Sequence, residues 1–195
     1  MKFATFRSRL LVFLLFVLAL VPCLAYAGMN PLEVRMFEGF KVKAEAGDAE
    51  AQTALGGCYS KGIGVQMDHD KAAEWWLKAA EQGHAKAQVK VGTCYADGRG
   101  FSGSIDKAIE WYRKASEQDD ADGQRNLAFY YERGTGVAKD EVEAFAYYTL
   151  AGRTDGTARF FLSKLEPRMT SFARVLGVNR SKEILKEIEA KKAGK

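Results

Sequence analysis

The sequence predicts an all-α protein: a solenoid of helix–turn–helix repeats with period 36, about three and a half repeats long, with a C-terminal capping helix. Three observations predict it. Gly62-x-Gly64, Gly98-x-Gly100 and Gly134-x-Gly136 recur at steps of 36 residues, and Tyr59, Tyr95 and Tyr131 keep the same step. Residues 51–86 laid over 87–122 give 17 identities without a gap, and 123–158 keep the frame with fewer matches. Within each block, two stretches with apolar residues at helical spacing are separated by glycine, which is how a stack of paired helices is written.

Composition agrees. A chain of 195 residues makes about one domain. Apolar residues are 47% and aromatic residues 12%, enough buried surface to offset chain entropy, so nineteen glycines do not signal disorder. Three cysteines and two histidines exclude a disulfide-dense scaffold and a zinc finger.

Residues 1–27 read as a signal peptide. Lys2, Arg7 and Arg9 precede twelve apolar residues, Leu10 to Val21, and the small-x-small site Ala25-Tyr26-Ala27. The apolar run falls short of the ~20 residues that span a bilayer. Pro22 before Cys23 argues against a lipoprotein, whose modified Cys follows a small residue. Cleavage after Ala27 is expected, giving a periplasmic or secreted protein with no stable membrane anchor. It leaves 26 basic against 25 acidic residues, so the formal charge of +4 belongs mostly to the export address and no nucleic-acid partner is implied.

Residues 28–47 form a half repeat, one helix from Pro31, a residue suited to the first helical position, to Ala46. The solenoid runs over 48–166, in blocks 51–86, 87–122 and 123–158. In the first helix of block one, Ala51, Leu55, Cys58 and Tyr59 form an apolar stripe. Gly62 and Gly64 stop it, because glycine accepts the left-handed conformation. Asp68 caps the second helix, as do Ser104 and Asp140 in the later blocks. Ala72, Trp76, Ala79 and Ala80 make the second stripe. Trp76, Tyr112 and Tyr148 share one position, and small residues facing them let helices approach closely. Ala158 to Glu166 begins a further repeat, one residue out of frame, and Pro167 ends it. Residues 167–195 hold the capping helix and a basic tail. Thr170 caps that helix, which runs to about Ala190, Gly177 kinks it, and Glu187 pairs with Lys191.

The strings A-Q-x-x-L-G-x-x-Y-x-x-G-x-G-V at Ala51–Val65 and K-A-x-x-W-W-x-K-A-A-x-x-G at Lys71–Gly83 resemble the Sel-one-like repeat (SLR) family, a relative of tetratricopeptide repeats. The second block departs at Val91 and Phe101, the third at Gly123, Ala128, Glu143 and Gly152. The resemblance covers about 40–166. It implies a right-handed α-solenoid whose first helices line a concave face. It also implies an adaptor that binds other proteins. Exported bacterial members occur in envelope assembly, host interaction and toxin–immunity systems, and some are linked to β-lactam binding. The family shares no reaction, so fold does not carry activity.

Each chemical motif has a structural explanation. Gly98-Arg99-Gly100-Phe101-Ser102-Gly103 matches a dinucleotide fingerprint, but a helix and not a strand precedes it, so it is a repeat turn. Cys58 and Cys94 lie at equivalent places on adjacent repeats, where helix axes stand ~8–10 Å apart. That exceeds the ~7 Å reach of a disulfide, so both are expected as buried thiols. His69 and His84 have no partner at metal-ligand spacing and are expected on the surface. Trp75, Trp76 and Trp111 are expected as core or inter-repeat wedges. Asn179-Arg180-Ser181 matches a glycosylation sequon inside the last helix. No metal, cofactor or catalytic residue is expected.

By the tetratricopeptide pattern, the groove positions are Glu50, Thr53, Gly57 and Lys61, then Lys86, Val89, Thr93 and Asp97, then Asp122, Arg125, Phe129 and Arg133. Lys86, Thr93, Asp97, Arg125, Phe129 and Arg133 are the candidate partner-binding residues, because an aromatic between two arginines has the composition of an interface hot spot. The expected function is non-catalytic protein binding by an adaptor or scaffold, an immunity-type inhibitor of an envelope toxin being a narrower form. The rival is a cell-wall hydrolase or a β-lactam-like ligand-binding protein.

Overall fold

The computed structural model describes residues 30–194, so the expected signal peptide lies outside the described residues. Nine α-helices follow in order among the described residues: α1 Pro31–Glu45, α2 Ala49–Lys61, α3 His69–Glu81, α4 Ala85–Asp97, α5 Ile105–Ser116, α6 Ala121–Arg133, α7 Glu141–Ala151, α8 Gly156–Leu165 and α9 Ser171–Ala193. A 3-10 turn over Glu166–Arg168 precedes α9. Up to α8 each helix packs chiefly on its sequence neighbours, which makes an all-α solenoid with repeats α2/α3, α4/α5 and α6/α7, α1 and α8 being the half repeats.

The expected caps are present. The side chains of Asp68, Ser104 and Asp140 accept from the N–H groups of Lys71, Lys107 and Glu143, satisfying donors that a helix start leaves free. Asp48, Asp120 and Asp155 do the same for α2, α6 and α8. The first helices end in left-handed glycines: Gly62, Gly98 and Gly134 have φ of 69°, 67° and 70°.

The second glycine of each turn solves a packing problem. A Cβ on Gly64 would run into the Glu33 backbone, one on Gly100 into Ala73 and the His69 carbonyl, and one on Gly136 would lie 2.6 Å from Cγ2 of Ile105. Each turn tip therefore rests against the first turn of the preceding second helix. Inside a repeat, a Cβ on Gly56 would lie 2.5 Å from Nε1 of Trp76, and one on Gly92 2.7 Å from the Tyr112 ring. Each glycine is the hole that its ring fills. Trp75, Trp111 and Tyr147 are half-buried wedges, each packed against the core of the pair before it.

Buried glutamines join successive repeats. Gln52 and Gln88 donate from Nε2 to the carbonyls of Ala44 and Ala80 (3.1 and 3.3 Å). Their Oε1 atoms accept from Nε2 of Gln82 and Gln118 (2.7 and 2.8 Å). The third junction differs. Asp119 stands in the left-handed region at φ 66°, where Gly83 has φ 89°. Its carboxylate accepts from Gln124, Arg153 and Lys192.

The last helix differs from expectation in two ways. It is one continuous helix through Gly177, which is buried, and a Cβ there would lie 2.5 Å from Cδ1 of Phe145, so the glycine permits a close crossing. Glu187 pairs within the helix with Arg180 (3.3 Å), and Lys191 reaches Glu117 beyond it (2.8 Å), so the expected Glu187–Lys191 pair is replaced. The helix closes the array from the side. Ile184 and Ile188 pack on Ala146 and Leu150 of α7, while Phe172 and Val175 near its start are exposed.

Gly100→Ala combines left-handed strain with overpacking, so it should cost about 2–4 kcal/mol. Gly83→Ala has equal strain but open space around its Cβ, so it should cost about 1–2 kcal/mol. Urea unfolding of the two variants checks the difference.

Candidate functional site

The exposed faces of the first helices form rows of four across the stack. Glu50 and Lys61 are exposed, and Thr53 and Gly57 half-buried, on α2. Lys86, Thr93 and Asp97 are exposed on α4. Val89 is not: at 7% exposure its apolar side chain packs in the core with Tyr112 and Leu127. On α6, Asp122, Phe129 and Arg133 are exposed. Arg125 is half-buried and bridges Asp122 within α6 (2.7 Å) and Asp155 at the cap of α8. It joins two repeats, and its charge is already committed.

One row escaped the sequence pattern. With the one-residue shift of α8 allowed for, Thr157, Phe160, Lys164 and Arg168 continue the groove positions, and all four are exposed. Arg133 lies 4.7 Å from the Phe129 ring centroid, and Lys164 lies 5.5 Å from that of Phe160. Aromatic and cation thus stand one helical turn apart on both helices. A cavity of about 290 Å³ between them is lined by Phe129, Glu132, Arg133, Lys139, Phe161 and Arg168. Arg168 pairs with Glu132 (2.6 Å), whose other oxygen accepts from the Tyr148 hydroxyl (3.1 Å).

A second cavity, about 170 Å³, opens where α2, α3 and α4 meet, with Thr93, Cys94, Asp97, His69 and Trp76 in its wall. The fold therefore brings Thr93 and Asp97 together at one cavity and Phe129 and Arg133 at another. Lys86 lines neither.

The perturbed groups in the core are driven toward their neutral forms. Burial pushes the Cys94 thiol up to about 11 and raises Cys58. Burial lifts Tyr112 and Tyr147 to about 12 and raises Tyr148 further. Both cysteines are buried free thiols. Trp76 is buried and donates its indole N–H to the Thr53 carbonyl (3.0 Å). Trp75 and Trp111 carry Lys78 and Lys114 over their rings at 4.0 and 3.9 Å. His84 is not a plain surface residue: at the start of α4 it makes no cap and its Nδ1 lies 2.9 Å from the Thr53 hydroxyl. In the 98–103 loop Phe101 stacks on Tyr95 (4.6 Å), and the Ser104 N–H returns to the Tyr95 carbonyl (2.9 Å), so the glycines serve the turn. Among the described residues no group of three His, Cys, Asp or Glu side chains could hold a metal ion, and no helix is long and apolar enough to cross a membrane.

Two outcomes follow from this geometry. The 28–195 form should show two thiols to a colorimetric thiol reagent in denaturant and almost none in its absence, because burial suppresses the thiolate. Burial raises the Asp155 carboxyl, but the Arg125 guanidinium and the Thr157 N–H outweigh it, and the net value lies below the ordinary 3.8. A lowered folded value stabilises above the unfolded value and is lost as pH falls through the folded one. Arg125→Ala should therefore lower the thermal midpoint near neutral pH and flatten its fall below about pH 4, the unfolded carboxyl range.

The Sel1 repeat family model matches residues 49–84, 85–120 and 121–153, in step with the helix pairs. A protective antigen of uropathogenic Escherichia coli that displays an SLR fold is 32% identical, with a TM-score of 0.68 over 82% of this chain and 34% of that one. A Sel1 repeat protein from Oxalobacter formigenes is 33% identical, with a TM-score of 0.61 over 79% of this chain and 63% of that one. The chain thus spans about a third of the first relative and under two thirds of the second. No curated protein matches it. Sel1 repeat proteins are generally protein-interaction scaffolds. With three matched units in register with three observed helix pairs, the chain belongs to the Sel1 repeat family.

Proposed function

We propose that the chain is an exported, non-catalytic adaptor that holds a partner protein in the groove of its first helices, in the periplasm or outside the cell. One observation carries this reading: α2, α4, α6 and α8 present aligned rows of exposed polar, charged and aromatic side chains on a stack fixed by buried contacts. A rigid surface of this kind binds with little ordering cost. The drift of the buried thiols and phenols toward neutral, unreactive forms supports binding over chemistry. The basic start, short apolar run and Ala25-Tyr26-Ala27 site support export. The partner would be an envelope-assembly component or, in the immunity form, a toxin that the groove occludes.

Immobilised 28–195 protein should retain a discrete partner from periplasmic extract. Combined alanine substitution of Lys86, Asp97, Phe129 and Arg133 should cut capture by about tenfold or more, since truncated anchors dominate interface energy, with little change in thermal midpoint. Unchanged capture would overturn the groove, and retention of wall fragments without protein would overturn the adaptor. Arg125 is left intact because its two ion pairs belong to the stack.

A further inference from the structure

We propose that the α6–α8 end of the groove takes an acidic peptide segment carrying aromatic or apolar side chains. The proposal rests on the adaptor reading and specifies the partner's chemistry. The surface alternates in both directions: Arg125, Phe129 and Arg133 lie on α6, Phe160 and Lys164 on α8, and Arg168 in the turn that follows it. Phe129 is 36% exposed and Phe160 57%. Phe161 adds a half-buried wall, edge-on to Phe160 and stacked on Tyr148 at 5.7 Å.

The charge balance selects the sign of the occupant. The carboxylates at this end are already committed: Asp122 and Asp155 to Arg125, and Glu132 to Arg168 and the Tyr148 hydroxyl. Arg133 and Lys164 have no ion pair among the described residues, and each rests on an aromatic ring instead. The unspent charge is cationic, exposed, and set over an aromatic ring one helical turn earlier. Carboxylates of such a segment gain charge-assisted hydrogen bonds from Arg133 and from Lys164, while its apolar side chains cover Phe129 or Phe160. A nucleic acid fits less well. Its phosphates would continue along the groove toward the exposed carboxylates Asp97 and Glu50, which repel a polyanion but not a short acidic segment.

The probe is a fluorescein-labelled peptide, Glu-Glu-Phe-Glu-Glu-Phe-Glu-Glu, titrated with the 28–195 protein and read by anisotropy. Its Lys-for-Glu and Ala-for-Phe counterparts are the comparisons. The Glu/Phe peptide should bind about tenfold or more tightly than either counterpart, and added salt should weaken it. Phe129→Ala with Phe160→Ala should cost about tenfold, and Arg133→Glu with Lys164→Glu should shift preference to the Lys peptide. All four side chains are exposed, so the thermal midpoints should stay close to that of the parent. Equal binding of the Lys peptide, indifference to the charge reversal, or tighter binding of oligothymidine or anionic vesicles would overturn the proposal. Partner capture that survives these four substitutions but fails with Lys86→Ala and Asp97→Ala would overturn it and leave the adaptor reading standing. Capture indifferent to both sets would overturn the adaptor reading itself.

Discussion

The spacing between the two helices of a repeat is set where an aromatic ring enters a gap left by a missing side chain. Gly56 receives Trp76, and Gly92 receives Tyr112. Once the ring is seated, its polar end meets the facing helix: the Trp76 indole finds the Thr53 carbonyl, and the Tyr112 hydroxyl stands 3.3 Å from that of Thr93. The third repeat has Ala128 in the glycine's place, and there the Tyr148 hydroxyl bonds Glu132. Everything outside the repeat inherits this spacing, because the exposed rows hold their alignment only while the pairs behind them keep one separation.

Successive repeats are held by a second set of devices, and these change character along the chain. The first two junctions use paired glutamines, with the buried amides of Gln52 and Gln88 bonded at both ends. The third uses ions: Asp119 gathers Gln124, Arg153 and Lys192, and Arg125 ties Asp122 to Asp155. This change consumes nearby carboxylates inside the structure and leaves the groove with a cationic remainder at one end.

How much of this the amino-acid order announces depends on whether a feature repeats. The turn glycines, the caps Asp68, Ser104 and Asp140, and the Ala, Trp and Tyr positions are legible because each repeat needs the same hole, knob and stop. Single events are hidden. Gln52 and Gln88 look like surface residues until a carbonyl eight positions earlier is seen to accept from each. Arg125 looks free because its partner Asp155 lies thirty positions away, on the next helix cap. The α8 row is masked by a one-residue shift that moves Phe160, Lys164 and Arg168 out of phase. The apolar stripe of α9 blurs because its start and its end pack differently.

A linear stack ordinarily transmits stability only between adjacent units, so either end frays one repeat at a time. The long final helix alters that arithmetic here. It lies along α7, and its last turns reach Glu117 and Asp119 at the close of the repeat before. Opening the third repeat therefore also detaches a helix that holds ion pairs to the second, which couples the two repeats. Among the described residues α1 has no such strap, so slow hydrogen exchange should concentrate toward the C-terminal half, the half that carries the aromatic and cationic rows.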